Sequence, residues 1–156
     1  MGARVMIRQR IDSDLAELIF RMLFSSIFIV LGGEHIFRDE LIQQLIPLWM
    51  PEPRLISLAA GILLLTGGIS IALGFRIHLA ATALGIFLVV VTLLIHVPGM
   101  FIYPPGLDSD WQWLWDLYQR SNFIKNVCLL GVCFHFLYHE PGSYSLDRYL
   151  AAKGLL

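Results

Sequence analysis

The stretch IHLAATALGIFLVVVTLLIH, residues 77–96, decides the fold. Residues 79–95 carry no charge, and His78, Thr82, Gly85, Val89, Thr92 and His96 recur at helical spacing along one face. At the rise of an α-helix the two histidines stand roughly 27 Å apart, about one hydrocarbon thickness. Lipid offers no partner to a buried polar group, so a polar seam on such a helix predicts a membrane span that faces its own bundle. Function is to be sought inside that bundle.

Working outward, the composition agrees. The chain is 57% hydrophobic and 15% charged, with a mean hydropathy of +0.71, too apolar for one water-soluble core. The net charge of −1 and the lack of a basic tract with interleaved aromatics argue against nucleic acid as a partner. Residues 1–156 read as a single transmembrane domain with spans at about 15–37, 55–75, 77–97 and 122–139. The fourth is short, with Ser121 and Asn122 as caps and Lys125 snorkelling at the boundary. The turn around Arg76 makes the second and third spans a tight hairpin. The expected fold is all-α: an integral membrane antiparallel four-helix bundle with an interfacial loop segment.

The basic residues set an orientation. Arg4, Arg8, Arg10, Arg76, Arg148 and Lys153 fall on one side, against Arg38, Arg54, Arg120 and Lys125 on the other. That bias places both termini in the cytoplasm of a bacterial-type inner membrane, as a multi-pass protein. Arg4, Arg8 and Arg10 are followed by Asp12, Asp14 and Glu17 with no small-residue cleavage site, so the first span reads as an anchor and not as a cleaved leader. The long connections 38–54 and 98–122 lie on the outer side. In the first, Pro47, Pro51 and Pro53 around Leu48, Trp49 and Met50 predict a short interfacial helix. In the second, the run Trp111, Gln112, Trp113, Leu114, Trp115 predicts a segment along the membrane surface, either an aromatic belt or a lid over a cavity.

Each remaining span also has a seam: Arg21, Ser25, Phe28, Gly32 and His35 in the first; Ser57, Gly61, Leu64, Gly68 and Ala72 in the second; Lys125, Cys128, Val132, His135 and His139 in the fourth. Small residues along a seam let membrane helices approach closely. Arg21, four residues beyond Glu17, is expected to snorkel inward. The alternating topology gathers Glu34, His35, His96, Lys125 and Asn126 at the outer end, below Arg38, Arg54, Tyr103, Asp116 and Arg120 in the loops. Arg76, His78, His135, His139 and Glu140 gather at the inner end. A carboxylate beside two histidines suits proton transfer near neutral pH, the need of a hydroquinone that gives up two electrons and two protons. A hydrogen-bonded boundary set is the plainer alternative. Cys128 and Cys133, five apart on one helix, can form neither a relaxed disulfide with each other nor a CxxC site, and read as packing residues; no metal site is expected. The histidines sit too near the span ends for a pair of haems, so haem is disfavoured.

The order Gly32, Gly33 and His35, then Pro47 and Pro51, then Gly61, Gly67 and Gly68, then Gly74, Phe75 and Arg76 with Ala80 and Ala81 resembles the DoxX family, and Asn126 is similar to its C-terminal pattern. The likeness covers roughly residues 15–140. Leu64 stands where similar members often carry a glutamate. The resemblance implies a small four-helix membrane protein; a related subunit, DoxD, belongs to a thiosulfate:quinone oxidoreductase. The expected function is that of a quinone-interacting subunit of a membrane electron-transfer system, with quinone as cofactor and a redox partner subunit supplying electrons, because the chain has no nucleotide fingerprint of its own. Glu34, His35 and His96 are the expected catalytic groups. Trp49, Arg54, Tyr103, Trp111, Trp115, Lys125 and Asn126 are the expected ligand-binding groups. The alternatives are a non-catalytic binder of lipid or a small hydrophobic ligand, and an assembly or scaffold subunit.

Overall fold

The computed structural model describes residues 12–43, 46, 47 and 49–155, with the backbone alone at Asp39 and Leu41. Arg4, Arg8, Arg10 and Leu48 lie outside the described residues. The chain folds as α1 (Ser13–Phe37), α2 (Asp39–Gln43), α3 (Pro53–Leu73), α4 (Ile77–Val91), a π-helical turn (Thr92–His96), α5 (Val97–Gly99), a 3-10 turn (Ser109–Trp111), α6 (Gln112–Phe136) and α7 (Leu146–Ala152). Among the described residues three helices are long and apolar enough to cross a membrane: Ser13–Phe37, Pro53–Leu73 and the continuous helix Ile77–Gly99.

These helices begin and end where local chemistry dictates. Asp12 caps α1 through its carboxylate. Pro53 opens α3, where its missing N–H is no loss. Gly74 closes α3 in the left-handed conformation, with Gly74 N–H bonded to Ile71 O and Phe75 N–H to Ser70 O. The next residue but one, Arg76, is also left-handed and starts α4. The predicted 76-centred hairpin is therefore present.

α1 and α3 run antiparallel with their backbones almost touching. A Cβ added at Gly32 would sit 2.7 Å from Leu65 N and 2.9 Å from Gly61 O. Arg21, Ser25, Phe28 and Gly32 on one side and Ser57, Gly61, Leu64, Gly68 and Ala72 on the other are buried along this contact, so both seams face as the spacing predicts. Where lipid replaces water the hydrophobic effect does little to join helices, and close backbone approach supplies the attraction instead.

Two seams are turned from their expected direction. On α4 the expected line holds in part: Gly85, Thr92 and His96 are buried, but His78, Thr82 and Val89 are exposed, and the buried face runs through Ile77, Ala81, Leu84 and Leu88, roughly 110° round from those three. Thr82 can face outward because its hydroxyl bonds His78 O of its own helix at 2.7 Å. On α6 the buried residues are Gln119, Asn126, Cys133 and Phe136, not the Lys125–Cys128–Val132–His135–His139 line. α6 packs antiparallel on α4 through that face. Between α1 and α6 the rings of Phe20, Phe24 and Phe136 make the bridge, with centroids 5.3 and 5.4 Å apart.

The connections also differ from expectation. The short helix sits upstream, at Asp39–Gln43, while Met50 N–H bonds Pro47 O. The tryptophan run is not a separate surface segment: Trp111 ends the 3-10 turn and Trp113 and Trp115 ride the first turns of α6. That turn is capped by Asp108, whose carboxylate accepts from Asp110 N–H, a start signal lying within the loop as first read.

Candidate functional site

The groups expected to cooperate fall on two helix pairs at the loop end of the molecule, the end that carries α2 and residues 49–52 and 100–111. On the first pair, His35 Nδ1 lies 3.1 Å from Ser57 Oγ, and the same hydroxyl reaches His35 O at 3.4 Å. Gly61 permits this, since a Cβ there would meet His35 Cβ at 2.8 Å. Glu34 is half-buried on the neighbouring position. Arg54 opens the facing helix and is exposed.

On the second pair, His96 is 7% exposed and its Nδ1 lies 2.9 Å from Gln119 Oε1. With that oxygen facing the ring, Nδ1 carries the proton and Nε2 is left as an acceptor. One turn along, Asn126 Nδ2 donates to Thr92 Oγ1 at 2.9 Å, both groups buried. Lys125 Nζ donates to Asn122 Oδ1 at 2.7 Å, within α6. Trp115 Nε1 donates to Gly99 O at 2.8 Å, and its ring lies 5.9 Å from Tyr118. The His96–Gln119, Asn126–Thr92 and Trp115–Gly99 contacts hold α6 to the π turn and α5. A π turn inserts one residue into the helical repeat, and such insertions recur at functional positions; here it carries Thr92 and His96 at its two ends.

Above this set, Tyr103 donates to the Asp116 carboxylate at 3.3 Å. Partial desolvation, with the carboxylate charge beside it, raises the Tyr103 phenol above its ordinary range. Trp49 and Trp111 are 63% and 57% exposed, so neither walls a cavity within one chain; Trp115 alone of the expected aromatic wall turns inward. Gln119, the direct partner of His96, escaped notice because it falls in the segment read as loop. Its signal was its spacing of seven from Asn126, two helical turns along the same face.

At the opposite, tail end the surprise is Arg21. It does not snorkel: it is fully buried, and Nη1 donates to Ala72 O at 3.3 Å and to Ile71 O at 3.5 Å, while Nη2 donates to Tyr144 O. The guanidinium thus serves Ala72 O at the end of α3 and shares Ile71 O with the Gly74 N–H. The segment after α6 completes the arrangement, with Asp147 Oδ2 accepting from Arg76 N–H at 2.8 Å and Asp147 N–H bonding Gly74 O. His139 Nε2 lies 3.1 Å from Glu17 Oε2 and stacks on His135 with ring centroids 4.7 Å apart. Both cysteines are free; Cys133 is buried in the packing and Cys128 is exposed.

The glycine positions that permit the α1–α3 contact and the Gly74 turn are those on which the family likeness rests. Residues 16–97, over half of the chain, match the family model DoxX. The chain belongs to the DoxX family. The match takes in α1, α3, α4 and the π turn of this DoxX protein and stops before α6. No curated protein and no solved structure matches the chain.

Proposed function

We propose that this DoxX protein is a quinone-interacting subunit of an electron-transfer system in a bacterial-type inner membrane, with α6 as the fourth span of an antiparallel bundle and both termini cytoplasmic. The observation that carries the reading is His96: an imidazole buried at a π turn, oriented by Gln119, with its second nitrogen unengaged among the described residues. A bound quinol supplies two-electron, two-proton chemistry. The residues of the chain do the rest: His96 Nε2 takes a hydroxyl proton, and Glu34 or His35 the second. Lys125 and Asn126 line the opening, Trp115 and Tyr103 close it toward the loops, and Trp49, Arg54 and Trp111 flank it. With protons leaving the quinol, electrons pass to a partner subunit, opposite to the direction expected from the sequence.

The test is direct. Purified protein is titrated with a short-chain quinone, and membranes carrying the Glu34→Gln, His96→Ala double variant are assayed for quinone-linked electron transfer. Saturable quinone binding that weakens in the double variant is expected. Absence of binding together with unchanged electron transfer overturns the proposal.

A second reading, a lipid or hydrophobic-ligand binder without turnover, is favoured by a wide cleft between α1 and α6 at the tail end. Mass spectrometry of co-purifying small molecules separates the two: a quinone supports the first, a stoichiometric lipid the second.

A further inference from the structure

The tail-end cleft has a volume of about 1500 Å³. Its apolar wall is made by Phe20 of α1 and by Cys128, Gly131 and Val132 of α6. This wall includes part of the α6 line that the spacing marked as a seam, so that line faces a space and not a packed neighbour. Its polar rim is built from both ends of the chain: Asp14 and Glu17 from α1, and His139, Glu140, Asp147 and Arg148 from the segment after α6.

The rim has a definite electrostatic character. Four carboxylates stand against one guanidinium, with His135 and His139 between them. Several of these groups are already engaged. Asp14 Oδ1 accepts from Ser143 N–H at 3.0 Å, and Arg148 Nη1 donates to Ser143 Oγ at 3.0 Å. Arg21, one turn beyond Glu17, is directed at the α3 carbonyls and Tyr144. Three polar side-chain atoms are buried without a hydrogen-bond partner among the described residues: Glu17 Oε1, Asp147 Oδ1 and Arg21 Nε. These atoms are closed off from the cleft, and what the rim offers a ligand is its surplus of carboxylates. The apolar wall below calls for hydrocarbon, the rim for a donor that is also a cation, and Arg148 for an anion beside it.

We propose that this cleft binds a phospholipid whose headgroup carries a primary ammonium, its N–H groups donated to the rim carboxylates and its phosphate facing Arg148. A trimethylammonium headgroup offers charge but no hydrogen bond, and a glycerol headgroup leaves a net anion against four carboxylates; both are disfavoured by this rim. The site gives the lipid-binding reading a location and a headgroup. It lies at the opposite end of the molecule from His96, so either proposal can fail alone.

The experiment uses the whole chain in nanodiscs holding equal parts of phosphatidylethanolamine, phosphatidylcholine and phosphatidylglycerol. The protein is then extracted in a mild detergent and the retained lipid quantified by mass spectrometry. Phosphatidylethanolamine is expected to be enriched about fivefold over the other two, equivalent to roughly 1 kcal/mol of discrimination. Gly131→Phe sends a ring into the cleft from a position whose Cβ meets nothing within 4 Å, and should abolish the enrichment with thermal stability and quinone binding unchanged. Glu17→Gln should lose the preference for phosphatidylethanolamine over phosphatidylcholine while still retaining lipid. Retained lipid that mirrors the nanodisc mixture, enrichment of phosphatidylglycerol, or a preference that survives Gly131→Phe overturns the proposal.

Discussion

A buried arginine with carbonyl partners on two distant stretches is the most demanding residue of this molecule. Removing the Arg21 side chain takes the guanidinium donors from Ala72 O and Tyr144 O and leaves a void beside Gly74. Arg21→Ala should therefore destabilise the detergent-solubilised protein by about 3 kcal/mol, read as a fall in melting temperature. Arg21→Lys should recover only part, since one ammonium cannot span Ala72 O and Tyr144 O as the planar guanidinium does. Gly74→Ala should be nearly as harmful by another route. Its φ of +64° disfavours a side chain, and the new Cβ would collide with Arg21 Nη1; the strain alone costs about 1 kcal/mol. At the loop end, Tyr103 should titrate later than an ordinary phenol. Its folded pKa lies above its unfolded one, so its contribution to stability is complete at neutral pH and is lost as pH rises through the folded value. The phenolate absorbance missing from Tyr103→Phe should emerge at lower pH in Asp116→Asn, where the neighbouring charge is gone.

Among elements, the α1–α3 pair shows what a sequence can disclose and α6 shows what it cannot. Gly32, Gly61 and Gly68 recur at spacings that leave one face of each helix small, and in lipid a small face has few uses besides contact. Both seams could be drawn from that alone. α6 carries two candidate faces of equal regularity, one through Lys125, Cys128 and His135 and the other through Gln119, Asn126 and Cys133. Only the positions of Thr92 and His96 on the neighbouring π turn decide between them, and a π turn leaves no signature in the spacing. Arg21 was misread for a similar reason: snorkelling was the local answer, but its acceptors lie 51 and 123 residues away. The Gly32–Gly33 dipeptide tests the α1–α3 contact cleanly. Gly32→Ala should cost about 2 kcal/mol by forcing the helices apart. Gly33→Ala, with nothing within 4 Å of its new methyl group, should be neutral or stabilising through helix propensity alone.

At the scale of the whole molecule, three helices qualify as spans by length and composition, and α6 is joined to them by buried polar pairs, His96 with Gln119 and Thr92 with Asn126. If α6 crosses the bilayer as proposed, its ends lie in different compartments. In a Cys128→Ser, Cys133→Ala background, a cysteine at Ser109 should react with an impermeant maleimide added outside intact cells. One at Tyr138 should react only after the membrane is opened. Labelling of both from one side would place α6 on the surface.

The Arg21 contact with Tyr144 also bears on how the protein is made. The first span leaves the ribosome long before residue 144 exists, so it enters the membrane bearing a guanidinium whose final acceptor has not been synthesised. A charge near a span end is tolerated in the bilayer at about 2–3 kcal/mol while it waits. The last stretch of the chain then works as a latch that closes only once α3, the Gly74 turn and α6 are in place. A truncation before Tyr144 should accordingly insert normally, yet be recognised by membrane quality-control proteases as an unfinished protein.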